Sequence, residues 1–122
     1  MSYLDNIPYT PNFVTVTVDP QDKALRYNQG KPKWSLVHYK SLEPMVRVLM
    51  YGADKYAVDN WKKGLDKREI LDSLQRHVAA LIDGQEVDPE SGEHHIGHIM
   101  CNCMFYSYFN IKVDDRGTEK ND

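Results

Sequence analysis

Cysteine is scarce in this chain: among 122 residues only Cys101 and Cys103 carry a thiol. Two positions apart in a helical pattern, they point to different faces, so a mutual disulfide is geometrically poor. Reduced thiols are expected, as in an intracellular compartment. Long apolar runs are missing as well. No stretch approaches the ~20 residues that a membrane span requires, and the opening MSYLDNIPYT lacks the basic and apolar regions of a secretory leader. Both absences point to a cytoplasmic protein without a membrane partner. Nor is there an excess of positive charge: 15 basic against 18 acidic residues leave a net charge of -3. That argues against a polymeric nucleic acid as partner and leaves a single nucleotide open. No internal repeat, heptad, CxxC or HExxH pattern is present, and GKPKW lacks the closing GK[ST] of a phosphate-cradling loop.

What remains is an ordinary globular composition, 41% hydrophobic and 27% charged, in a length that suits one domain. Residues 1–24 read as an extended arm, in which FVTVTV at 13–18 alternates apolar residues with threonine as a half-buried strand does. Such a strand needs a partner, in this chain or in a second copy. The segment RYNQGKPKW is a loop of basic and aromatic residues around Gly30 and Pro32. Three helices are predicted after it. The first is capped by Ser41, has Pro44 in its opening turn and carries Leu42, Met45, Val46, Leu49 and Ala53 as an apolar stripe up to about Tyr56. The second opens at Asp66 with Glu69 as its capping-box partner and stops at Gly84. The third starts at Ser91 after the turn EVDPESG and runs to about Ile111, followed by a polar tail at 113–122. The short connections favour antiparallel packing. The expected fold is mainly α, a compact antiparallel helical bundle over 25–112 with an extended N-terminal arm containing one short β-strand.

The chemistry concentrates in SGEHHIGHIMCN. His95, His98 and Asn102 are spaced three and four apart and share a helix face, with His94 beside them near the first turn. A hydrogen-bonded rim of a surface helix is the plain explanation, and a polar pocket between helices is the functional one. Glu43, Asp54, Asp72 and Asp83 lie on flanks away from the apolar stripes, which suits a hard cation such as Mg2+ or Mn2+ better than zinc. Arg76 and His77 adjoin on the second helix, a fixed cation beside a titratable base. Lys31 and Lys33 could neutralise phosphates, with Tyr27 or Trp34 stacking on a base. Trp61, in the turn DNWKKG, has plugging the end of the bundle as its plain role.

Three blocks, LRYNQGKPKWSLV, LEPMVRVLMYGADKYAVDNWKKG and LQRHVAALIDGQEVDPESGEHHIGHIMCN, resemble successive segments of the phage and bacterial dATP/dGTP diphosphohydrolase family, a relative of the MazG-like all-α nucleoside triphosphate pyrophosphatases. The resemblance runs from about Leu25 to Phe109, and its ordered motifs are YGADKY with NW, then RH, then DPESG with HHxxH. It implies a MazG-like helical bundle that hydrolyses a purine deoxynucleoside triphosphate to the monophosphate and pyrophosphate with Mg2+ or Mn2+. It also implies a dimer or tetramer, and for a phage-encoded chain the host cytoplasm. On this likeness Glu43, His77 and His95 are the catalytic candidates. Glu43, Asp54, Asp88, Glu90 and His98 are the metal candidates, and Arg26, Lys31, Lys33, Trp34, Lys55, Trp61, Arg76 and Asn102 the substrate-binding ones. One departure stands out. MazG-like proteins build their magnesium site from ExxE and ExxD pairs, whereas the corresponding stretch here reads HxxH, His95 to His98. That departure keeps open a second function, a nucleotide-binding protein without turnover such as a sponge for a host signalling nucleotide; a third, a small interaction module, goes with the helix-rim explanation of the histidines.

Overall fold

The structure, a computed structural model, describes residues 24–111. The strand expected at 13–18 and the polar tail at 113–122 lie outside the described residues. After two 3-10 turns, Trp34–Leu36 and Tyr39–Leu42, come three helices: α1, Glu43–Lys55; α2, Lys67–Ile82; and α3, His95–Asn110. A further 3-10 turn, Asn60–Lys63, joins α1 to α2. The protein is mainly helical, as the periodicity implies, and its described β-pairing is a single bridge between Val87 and His94.

Asp66 caps α2 as expected, its side chain accepting from the backbone N–H groups of Arg68 and Glu69 at 2.9 and 3.2 Å. The other two starts differ from expectation. Ser41 is occupied by His38 Nδ1, so α1 begins at Glu43 behind Leu42, with Pro44 in the first turn where a missing N–H costs nothing. α3 begins at His95 and not at Ser91, because Ser91 is drawn into the turn at Asp88. His94 Nδ1 takes over the cap, accepting from the Ile96 N–H at 2.9 Å.

α2 ends in a Schellman arrangement. Gly84 sits at φ +88°, its N–H bonds to Leu81 O at 3.0 Å, and the Gln85 N–H reaches back to Ala80 O at 2.9 Å. The following chain folds into a narrow ribbon, tied by Asp88 N–H to Glu93 O at 2.9 Å and His95 N–H to Glu86 O at 2.8 Å. The direction of packing follows from the contacts. His95 meets His77, Asn102 meets Ser73 and Lys67 lies over the Tyr106 ring, so α3 ascends while α2 descends.

α3 is the central element, touching both other helices. This explains why its apolar residues surround it instead of forming one stripe. Its contact with α1 is close: a Cβ placed on Gly97 would stand 2.3 Å from Pro44 O and 3.0 Å from Val48 Cγ2. Farther along, Trp61 fills the end of the bundle, with ring centroids 4.7 Å from Phe105 and 4.9 Å from Tyr108. Among the described residues the fully buried apolar side chains are few, Ile70 and Cys101, and burial pushes the Cys101 thiol pKa up to about 12. That thiol is therefore inert at neutral pH.

Gly97→Ala is expected to destabilise by about 2 kcal/mol in urea unfolding, because the clash is with backbone that cannot yield. Gly52→Ala, whose Cβ would meet nothing within 4 Å, should instead stabilise by roughly 0.5 to 1 kcal/mol through helix propensity.

Candidate functional site

Three imidazoles meet where α2 faces the start of α3. His77 Nδ1 and His95 Nδ1 are 2.7 Å apart, and the His77 and His98 rings stack in parallel with centroids 4.3 Å apart and planes 2° from coplanar. His95 is 4% exposed, and its Nε2 is 2.9 Å from Gln85 Oε1. The histidines thus occupy the seam between two helices and not the rim of a surface helix. Asn102, also buried, spends its amide N–H groups on Ser73 Oγ at 3.2 Å and His98 O at 3.0 Å.

Below this row lies an acid-and-hydroxyl pair. Ser91 Oγ donates to Asp88 Oδ2 at 2.9 Å and lies 2.7 Å from His98 Nε2. With the hydroxyl proton committed to Asp88, His98 must supply the proton of its own bond, which places it on Nε2. Burial, outweighing the pull of Asp88, lowers the His98 pKa below the ordinary histidine range, with His95 adding to the effect. The contact of His98 Nε2 with Asp88 at 3.3 Å is therefore that of an uncharged imidazole with a carboxylate at neutral pH and not an ion pair. His77 is lowered too, by burial first and then by His98 and His95. Burial alone would raise Asp88. The Ser91 hydroxyl, the Glu90 and Ser91 amides and His98 reverse that and hold its carboxyl below the usual range.

Beside the cluster, between α1, the Asn60–Lys63 turn and α3, is a cleft of about 730 Å³. Leu49, Tyr51, Trp61 and Phe105 give it apolar and aromatic walls, and Lys55, Ser73 and His98 contribute polar groups. Lys55 bonds Glu90 Oε1 at 3.3 Å and lies over the Tyr51 and Tyr56 rings at 5.7 and 5.3 Å. The Tyr56 hydroxyl, followed by Glu90, keeps it protonated well beyond ordinary lysine.

Of the sequence candidates, the structure brings together His77, His95, His98, Asp88 and Asn102 and sets Lys55, Trp61 and His98 on the cleft. Arg76 is exposed but close enough to His77 to act on its charge. Arg26, Lys31, Lys33 and Trp34 are exposed in the segment before α1 and do not line the cleft. Glu43 is exposed and pairs with Arg47 at 3.5 Å, outside the hydrogen bonds of the histidine cluster.

The five metal candidates do not converge. Asp54 is exposed, Glu90 is paired with Lys55, and only Asp88 and His98 meet. Among the described residues no group of three or more His, Cys, Asp or Glu side chains is arranged to hold a metal ion. Helix spacing could not show that Ser91 and Lys55 would claim these carboxylates. Gln85, Ser91 and Ser73 join the site as partners that helix spacing does not single out. Their signal was present for two of them, in Gly84 as a helix stop before Gln85 and in the DPES turn that carries Ser91.

The histidine shifts carry a stability consequence. His77 and His98 take up protons less readily folded than unfolded, so their contribution is complete above the unfolded value near 6.5 and is lost as pH falls through the lower folded values. The melting temperature should therefore drop between pH ~7.5 and ~5, and His77→Asn should flatten that slope when melting is followed by circular dichroism.

A family model described as dATP/dGTP diphosphohydrolase, N-terminal, matches residues 21–119. A dATP/dGTP diphosphohydrolase of Salmonella phage PMBT28 is 37% identical over 82 residues, which is 67% of this chain and 28% of the phage protein. The chain thus spans under a third of that relative's length. No solved structure matches. Among the described residues no helix is long and apolar enough to cross a membrane. With the match covering 21–119, all three helices included, the chain belongs to the dATP/dGTP diphosphohydrolase N-terminal family.

Proposed function

We propose that this chain hydrolyses a purine deoxynucleoside triphosphate, dATP or dGTP, to the monophosphate and pyrophosphate, in phage nucleotide metabolism within a host cytoplasm. The observation that carries the reading is the contiguity of the cleft with the histidine row, through His98, which belongs to both. A cleft of about 730 Å³ with aromatic walls is of the size and character that takes a small ligand. Tyr51 and Trp61 offer faces to a base, and Lys55, held protonated, offers charge to a phosphate.

Hydrolysis needs a base that is unprotonated at neutral pH, and the lowered pKa of His77 supplies one. It receives a proton from the attacking water while the phosphate charge is balanced by cations. The triphosphate enters as its Mg2+ or Mn2+ salt, since such ions keep waters and phosphate oxygens among their ligands. The cation thus arrives with the substrate. A homo-oligomer belongs to the same proposal. Ile82, Val87 and Tyr108, outside the cleft, are left 79%, 50% and 55% exposed in a chain with few buried apolar residues, and a second copy would cover such surface.

Pyrophosphate release from the four dNTPs and four NTPs, measured with Mg2+, with Mn2+ and with EDTA, tests the reading. Repeated, EDTA-sensitive turnover confined to dATP and dGTP is expected. Stoichiometric retention of intact nucleotide would mark a binding protein instead. His77→Ala, with unchanged helicity, should lower kcat by roughly 10² to 10⁴-fold, the usual contribution of a general base.

A further inference from the structure

We propose that Gln85 is a positioning residue that selects the tautomer of the His95 and His77 pair, leaving Nε2 of His77 as the proton-accepting atom. The catalytic consequence rests on the hydrolase reading above; the tautomer itself does not. Gln85 presents Oε1 to His95 Nε2 at 2.9 Å, and a carbonyl oxygen only accepts, so His95 carries its proton on Nε2. In the neutral ring Nδ1 of His95 is then a bare lone pair. The 2.7 Å contact between the two Nδ1 atoms requires one donor, and that donor is His77 Nδ1–H. A neutral His77 with its proton on Nδ1 has Nε2 unprotonated.

Two further observations fit this assignment. No buried side-chain nitrogen or oxygen among the described residues lacks a hydrogen-bond partner. His77 Nε2 has no partner among them, and it is therefore open to solvent. The parallel stack of His98 on His77 holds the ring plane, and the 2.7 Å contact with His95 sets which edge of the ring faces inward. Gln85 is itself fixed from behind. Its N–H closes the Schellman turn on Ala80 O at 2.9 Å, and the neighbouring Glu86 O holds the His95 N–H at 2.8 Å. The helix terminus thereby aims the amide at the ring, as a carboxylate or carbonyl behind a working imidazole does elsewhere. Were the amide to present its NH2 instead, every donor along the line would reverse and His77 Nε2 would carry a proton, useless as a base.

The test is long-range 1H–15N correlation on 15N-histidine-labelled full chain at pH ~8, above the ordinary histidine range, with pyrophosphate release measured in parallel. The expected pattern is a protonated Nδ1 and bare Nε2 on His77, and the converse on His95. Gln85→Leu removes the acceptor from an exposed position. It should mix the two His77 tautomers and lower kcat roughly three- to tenfold, the scale of one hydrogen bond. Gln85→Glu, which can only accept, should restore both the wild-type pattern and most of kcat. A His77 ring protonated on Nε2 in the wild type, or one unchanged by Gln85→Leu, would overturn the proposal. The expected tautomers in a protein that turns over no nucleotide would leave the tautomer assignment standing and remove the hydrolase reading. Purine-specific turnover with reversed tautomers would do the opposite.

Discussion

A buried imidazole has two ring nitrogens and must find a partner for each, and this requirement at His95 organises the neighbourhood. One nitrogen is met by Gln85 and the other by His77. To bring Gln85 there, α2 must end on Gly84 in a left-handed conformation and the chain must return as a ribbon to His95. To bring His77 there, α2 must run antiparallel to α3 in one register, which also seats Asn102 on Ser73. An interior hydrogen bond left unmade costs more than a made one contributes, so a slip of that register is penalised at several sites at once.

The interior is consequently divided. On one side of α3 the seam is apolar and tight, with Gly97 against the Pro44 carbonyl and Cys101 Sγ donating to Met45 O at 3.4 Å. On the other side the seam is polar, and none of its buried side-chain nitrogens or oxygens among the described residues lacks a hydrogen-bond partner. A helix so placed needs apolar residues around most of its circumference and polar ones along a single line, which is the pattern of HIGHIMCNCMFYSYF. The tight seam positions the helix, and the polar seam gives it chemistry.

Charge is arranged by the same economy. Carboxylates that remain exposed, such as Glu43 and Asp54, keep their water and have no reason to gather. Asp88, the half-buried one, is surrounded by donors from its own turn and by His98, so its charge is satisfied locally. Glu90 is neutralised by Lys55 across the loop. Gathering these acids around one point would require Asp88 and Glu90 to give up such partners.

Periodicity determined three helices, their order and most of their limits, because a stripe of apolar residues at helical spacing has one economical fate. The Asp66 cap and the Gly84 stop were equally legible, since each satisfies a local backbone need that depends on nearby residues alone. The sharing of a face by His95, His98 and Asn102 also followed from spacing. What spacing could not decide was which face was inside. Only the tertiary structure set His95 against His77 and Gln85, residues 18 and 10 positions away, and only it separated the acids that spacing had grouped. Hydrogen bonds between elements depend on register and on the loop that returns the chain, and neither is written in the period of a helix.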